Sequence, residues 1–126
     1  MGFIPSELVE ANPSGDVSYL LERNRVLRKY ERGELTRNDI CDAHPELIRA
    51  SHHYSERISG LCPVCDKEAV RLVSYVFGPR LPSHGRCVNS AGDIDRIRKR
   101  KGTFTCYTVE VCSQCYWNHL QRSYTL

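Results

Sequence analysis

Hydrophobic and polar positions divide the chain into a helical first half and a strand-rich second half. Val17–Tyr30 places Val17, Leu20, Leu21, Leu27 and Tyr30 near one helical face, with Glu22, Arg23, Arg25, Arg28 and Lys29 on the remainder. Asp16 stands where an N-cap belongs, and Gly33 is placed to stop the helix in a left-handed turn. Thr36, with Asp39 three residues on, is a carboxylate form of the capping box and opens a second, short helix. Pro45 suits the first position of a third helix that runs to about Tyr54 with Leu47 and Ile48 inward. Past these, Ala69–Phe77 is rich in branched and aromatic residues and stops at Gly78-Pro79, as a strand does. Thr103–Val111 alternates, with Thr105, Tyr107, Val109 and Val111 on one face and Phe104, Cys106, Thr108 and Glu110 on the other. His119–Leu126 has Leu120, Tyr124 and Leu126 at even spacing and reads as a third strand. The pattern predicts an α+β chain: about three short N-terminal helices, then a three-stranded antiparallel sheet.

Two cysteine pairs give that sheet a purpose. Cys62-Pro63-Val64-Cys65 precedes the first strand, Cys112-Ser113-Gln114-Cys115 follows the second, and 46 residues separate them. A zinc ion takes four soft or borderline ligands in a tetrahedron, and thiolates supply both the softness and the neutralising charge. Two thiols three positions apart on a tight turn grip an ion from one side, and a second turn brought opposite by a hairpin completes the site. The spacing therefore predicts a zinc ribbon holding one Zn2+ per chain on Cys62, Cys65, Cys112 and Cys115. Tyr116 and Trp117, directly after the last ligand, are expected to pack over the metal.

Composition sets the limits. With 126 residues the chain divides into an N-terminal arm over 1–15, a helical segment over 16–58 and a ribbon domain over 59–126. Three Phe and one Trp make a thin core, which a metal staple would offset. Seven cysteines cannot all pair within one chain, no basic region followed by an apolar run marks the N-terminus, and no stretch is long and apolar enough to span a bilayer. Reduced thiols in a cytoplasm are the consistent expectation.

The connection from Gly78 to Gly102 is long for a hairpin, and its charge is uneven. Asp93 opens a short helical stretch that ends in Arg96, Arg98, Lys99, Arg100 and Lys101, five cations in six positions. Such a tip suits phosphates or an acidic protein surface, or serves only to solubilise. Cys41 with His44, and His84 with Cys87, have the ligand types for a second zinc bridging helices and loop, although nothing in the spacing brings them together. The alternative is a helix-packed Cys41 and an exposed His84.

These features have a relative. Ile40–Ala50, Cys62-Pro63-Val64-Cys65, Tyr75-Val76-Phe77-Gly78, Val109-Glu110-Val111-Cys112 and Trp117-Asn118-His119-Leu120 resemble a small, functionally uncharacterised actinobacterial family of cysteine-pair proteins, over most of the chain. The resemblance implies an actinobacterial cytoplasm and a ribbon with a helical N-terminal part; it implies no activity and no catalytic residue.

A catalytic zinc keeps a position open for water, whereas four thiolates fill the tetrahedron. No H-E-x-x-H, phosphate-binding glycine loop or G-x-S-x-G is present. Thiol–disulfide catalysis needs a C-x-x-C at a helix start beside a βαβ unit, which the pattern lacks. The expectation is a non-enzymatic accessory protein with a protein partner, first of all RNA polymerase, and with no membrane or small-molecule substrate. The alternatives are a ribosome- or RNA-associated factor, with the loop cations on phosphates and Tyr107, Tyr116 or Trp117 stacking on bases, and an adaptor without nucleic acid.

Overall fold

A computed structural model describes residues 16–88 and 91–126; the arm expected over 1–15 lies outside the described residues. In chain order the elements are β1 (Val17–Ser18), α1 (Leu20–Glu31), α2 (Arg37–Ile40), α3 (Pro45–His53), β2 (Ser55–Leu61), β3 (Ala69–Phe77), β4 (Arg86–Val88), α4 (Ala91–Arg98), β5 (Thr105–Val111) and β6 (Asn118–Thr125). The six strands form one antiparallel sheet in the order β1-β6-β5-β3-β2. β4 shares the outer side of β3 with β2: β2 pairs with its first half (Ser55 opposite Val73) and β4 with its second (Ser74 opposite Val88).

The α+β class and the three predicted strands stand, as β3, β5 and β6, but a three-stranded ribbon is too small a description. β2 reads Ser-Glu-Arg-Ile-Ser-Gly-Leu and has little strand character of its own. It becomes a strand by pairing with β3, through a register shift between Arg57 and Leu61 where Gly60 takes φ 103°. Ser59-Gly60, expected to mark a boundary, therefore lies inside β2.

β5 is buried along its whole length because elements cover it on both sides. On one face Tyr107, Val109 and Val111 pack with Val73 and with Ala43, Leu47 and Ile48 at and before α3. On the other, Phe104 and Cys106 pack with Val76, Val88 and Ile97 of α4. Gly78 makes room for Phe104: a Cβ there would stand 2.3 Å from its Cδ1. The even spacing of Leu120, Tyr124 and Leu126 does not place them together. The register of β6 slips against Thr108 and Val109, so Leu120 joins the Val109 cluster while Tyr124 and Leu126 join Cys106.

The predicted capping box of α2 and the predicted first-turn proline of α3 form as expected, and His44 adds a cap that the pattern did not indicate. Thr36 Oγ1 accepts from Asp39 N at 3.3 Å, Thr36 N donates to Asp39 Oδ2 at 2.7 Å, and His44 Nδ1 accepts from Glu46 N at 3.0 Å ahead of Pro45. α1 departs from its reading. Val17 and Ser18 pair with β6, Tyr19 rather than Asp16 is the N-cap, and Asp16 binds Arg122 at 3.2 Å. Leu20 and Leu21 are 51% and 78% exposed, and the inward face is Arg23, Val26, Leu27 and Tyr30. The face is rotated because Arg23, assigned to the polar side by periodicity, answers a buried carboxylate in β5.

Candidate metal centre

The two C-x-x-C turns are near copies. Cys62–Glu68 joins β2 to β3, and Cys112–Trp117 joins β5 to β6. Each loop is closed at its base by the first cysteine's N–H, from Cys62 to Glu68 O at 2.7 Å and from Cys112 to Trp117 O at 2.9 Å. Within each, the residue after the second cysteine donates back to the first cysteine's carbonyl, Asp66 N to Cys62 O and Tyr116 N to Cys112 O, both at 3.0 Å. That same residue is left-handed in both turns, Asp66 at φ 57° and Tyr116 at φ 72°. Backbone amides also point at sulfur: Val64 N lies 3.4 Å from Cys62 Sγ and Cys115 N 3.5 Å from Cys112 Sγ.

Facing each other, the turns bring four thiols into one cluster. The ligand atoms of Cys62, Cys65, Cys112 and Cys115 all lie within 4.8 Å of one another. Cys62 and Cys115 sulfurs are 3.6 Å apart, and Cys65 and Cys112 sulfurs 3.7 Å. A tetrahedron with metal–sulfur bonds of about 2.3 Å has edges of roughly 3.8 Å, so the spacing fits one thiophilic ion of zinc size. Cys62 and Cys112 are buried, and Cys65 and Cys115 are partly so. Burial pushes the Cys62 thiol up to about 11 and that of Cys115 higher still. At Cys65 burial also pushes upward, but hydrogen bonds from the Lys67 and Glu68 backbone and from the Cys112 and Cys62 thiols outweigh it, bringing the thiol down to about 7. Burial thus opposes ionisation at Cys62 and Cys115, and a cation that replaces their protons supplies the compensating charge.

The support beneath the cluster was missed by pattern reading. Glu110, 1% exposed in β5, is ion-paired with Arg23 of α1, whose Nη2 lies 3.2 Å from Oε2. The same oxygen accepts from the fully buried Trp117 Nε1 at 3.2 Å, and the indole stacks on His119 at 6.0 Å between centroids. Trp117 therefore underlies the second turn from within the core, next to Val26, Ile40, Val70, Cys62 and Cys112. The signal was available: a carboxylate between two valines in a central strand requires a buried donor.

The chain leading into α3 lies along the second turn. Ala43 N donates to Tyr116 O at 3.0 Å, Asn118 Nδ2 donates to Asp42 Oδ1 at 2.9 Å, and Cys41 Sγ sits 3.8 Å from Cys115 Sγ. This separates the four residues considered for a second zinc. Cys41 is at the first cluster, while His44, His84 and Cys87 line a groove of about 1730 Å³ between α3 and the β3–β4 side of the sheet. Among the described residues, these four do not gather as a metal-binding group. His44 already uses Nδ1 as a helix cap, and burial pushes the Cys87 thiol up to about 11.

The loop cations are on the surface at the end of α4. Arg96 is ion-paired with Asp93, and Arg98 with Asp95 at 3.4 Å, so part of the charge is answered within the helix; Lys99, Arg100 and Lys101 are exposed beyond it. Of the three rings considered for base stacking, Tyr107 and Trp117 are wholly buried and Tyr116 is 40% exposed. No helix among the described residues is long and apolar enough to cross a membrane.

DUF5318, a family of unknown function, matches residues 12–126. Uncharacterised proteins of Mycobacterium tuberculosis and Mycobacterium bovis are 36% identical over 110 residues, covering 87% of this chain and 80% of theirs. No solved structure matches the chain.

Proposed function

The chain belongs to the DUF5318 family, and we propose that it is a zinc-stapled, non-catalytic interaction protein. The observation that carries the reading is the closed set of four thiols within 4.8 Å, joining the two loops of one sheet. Bound there, a zinc ion supplies a cross-link and the neutralisation of thiolate charge. With Cys62, Cys65, Cys112 and Cys115 as its ligands, no position remains for a substrate or an activated water.

The partner is a macromolecule, with RNA polymerase tested first. The zinc-ribbon analogy behind that choice covers a three-stranded unit, and the sheet here has six strands, so support shifts to surface features. These are the exposed Leu20 and Leu21 of α1, Leu61 and Tyr116 beside the two metal turns, and the Lys99–Lys101 tip. The RNA-associated reading keeps the cationic tip but loses two of its three stacking rings to the core.

Affinity capture of the tagged chain, with and without nuclease, tests the reading alongside a metal count on the purified protein. One zinc per chain with a protein partner retained after nuclease is the expected result. A chain without bound metal would overturn the staple, and capture lost on nuclease treatment would transfer the function to RNA. Replacing Arg98, Lys99, Arg100 and Lys101 with Ser is expected to leave the metal count unchanged and weaken capture; equal capture would reduce the tip to a solubilising surface.

A further inference from the structure

Five thiols, not four, meet at the metal centre. Cys41 Sγ is 3.8 Å from Cys115 Sγ, a separation as short as those inside the ligand set, yet Cys41 does not belong to the group whose members all lie within 4.8 Å. It is held there by its neighbours: Ile40 is buried in the metal-end core, Asp42 binds Asn118, and Ala43 N binds Tyr116 O. Cys41, Cys65 and Cys115 line a surface opening of about 250 Å³ whose rim carries the cations of Arg37 and Lys67, whereas Cys62 is buried and not part of its lining.

We propose that Cys41 is a resolving thiol and that Cys41 and Cys115 form a reversible disulfide when a hydroperoxide enters this opening. The inference rests on the four-thiolate metal reading: while the ion holds Cys62, Cys65 and Cys112, Cys41 is the neighbouring thiol left free to react with Cys115. The Cys115 thiolate attacks the O–O bond of hydrogen peroxide, forming an S–O bond and releasing hydroxide, which takes a proton to become water. The Cys41 sulfur then displaces the sulfenic oxygen, which leaves as a second water with the Cys41 proton, and an S–S bond forms. Two thiols are oxidised by two electrons and one peroxide is reduced to two waters. The sulfurs must close from 3.8 Å to a bond of about 2.0 Å, a movement available to side chains on two loops. The metal is left with three thiolates and an open position, which weakens its hold. A dithiol reverses the change.

The full chain is purified with its zinc and the metal is counted before oxidant is added. Hydrogen peroxide is then applied, remaining thiols are alkylated, and the linkage is mapped by mass spectrometry while released zinc is followed with a coloured chelator. The expected product joins the Cys41 and Cys115 peptides, is two hydrogens lighter than the reduced pair, and appears in step with zinc release. Cys41→Ser and Cys41→Ala should each hold zinc as the unaltered chain does, give no such cross-link, and release zinc several-fold more slowly. In a zinc-loaded chain, a cross-link at a different pair, or equal release from both variants, overturns the inference alone. A chain that carries no zinc overturns the metal reading and this inference with it.

Discussion

The two C-x-x-C turns share a backbone and differ in everything around it. Both have the same inner hydrogen bond, from the residue after the second cysteine to the first cysteine's carbonyl, and both place that residue in the left-handed region. The first cysteine's N–H closes the loop six residues on in the first turn and five in the second. The first joins an edge strand, β2, to β3, and Pro63, Asp66, Lys67 and Glu68 are exposed around it. The second joins β5 to β6 inside the sheet, has Trp117 and Glu110 beneath it, and receives residues 41–43 along its side. Local chemistry makes the turns alike, because two thiols three positions apart that can grip one ion constrain the backbone in a similar way. Tertiary packing then divides the work, with the second turn fixed by the fold and the first facing it across the thiol cluster.

The largest predicted effect tests whether the metal joins the turns. Cys62→Ser and Cys112→Ser should both abolish stoichiometric zinc binding and unfold the metal end, since structural zinc contributes folding free energy directly. Metal content with a thermal melt checks this, and an unchanged melt for either variant would show that its turn stands without the ion. Lower pH should act in the same direction, because protons compete with metal for the thiols. The Cys62 thiol, at about 11, must lose its proton to bind, so apparent zinc affinity should fall at least about tenfold per pH unit below neutrality.

Next in size is the buried support. Glu110→Gln removes the charge facing Arg23 and should cost about 3 kcal/mol, the lower end for breaking a buried pair, because Arg23 keeps 20% of its side chain in water. Chemical denaturation of the zinc-loaded chain measures it. A loss below about 1 kcal/mol, the worth of a surface pair, would mean that the second turn does not depend on this contact.

How much of this was legible follows from the same contrast. The clustering of Cys62, Cys65, Cys112 and Cys115 could be read because the spacing within each pair is local and a metal has few requirements. Thr36, Asp39, His44 and Pro45 lie at helix starts, where capping is decided by sequence neighbours, and β3, β5 and β6 carry their own strand composition. β2 could not be read, since Ser55–Leu61 becomes a strand only because β3 offers an open side. The inward turn of Arg23 was hidden for a related reason: helical periodicity scores an arginine as polar and does not know that Glu110 waits in the core. Cys41 is visible as a cysteine, but neither reading of it, a second zinc with His44, His84 and Cys87 or a helix-packed thiol, brings it to Cys115, because that contact joins residues 74 apart in the chain. Spacing finds ligands on one turn and misses a thiol delivered from elsewhere.

The smallest effect examines the likeness of the turns itself. A left-handed conformation costs a residue with a Cβ about 1–2 kcal/mol, while glycine escapes that cost but orders more backbone freedom on folding, roughly 0.5–1 kcal/mol. At a left-handed position glycine should therefore be more stable than alanine by about 0.5–1 kcal/mol once the original side chain is removed from both. Comparing Asp66→Gly with Asp66→Ala, and Tyr116→Gly with Tyr116→Ala, by denaturation of the zinc-loaded chain isolates this term. The carboxylate, the ring and its packing cancel within each pair. If the turns are one local unit, the glycine advantage is the same at φ 57° and at φ 72°. An advantage at Tyr116 alone would mean that the exposed first turn relaxes to another backbone when its side chain is cut. Tyr116 adds a second readout: its ring is 40% exposed on a residue held in a costly conformation. Should Tyr116→Gly keep its stability and zinc yet lose the captured partner, the strain at this position is retained for contact rather than for the fold.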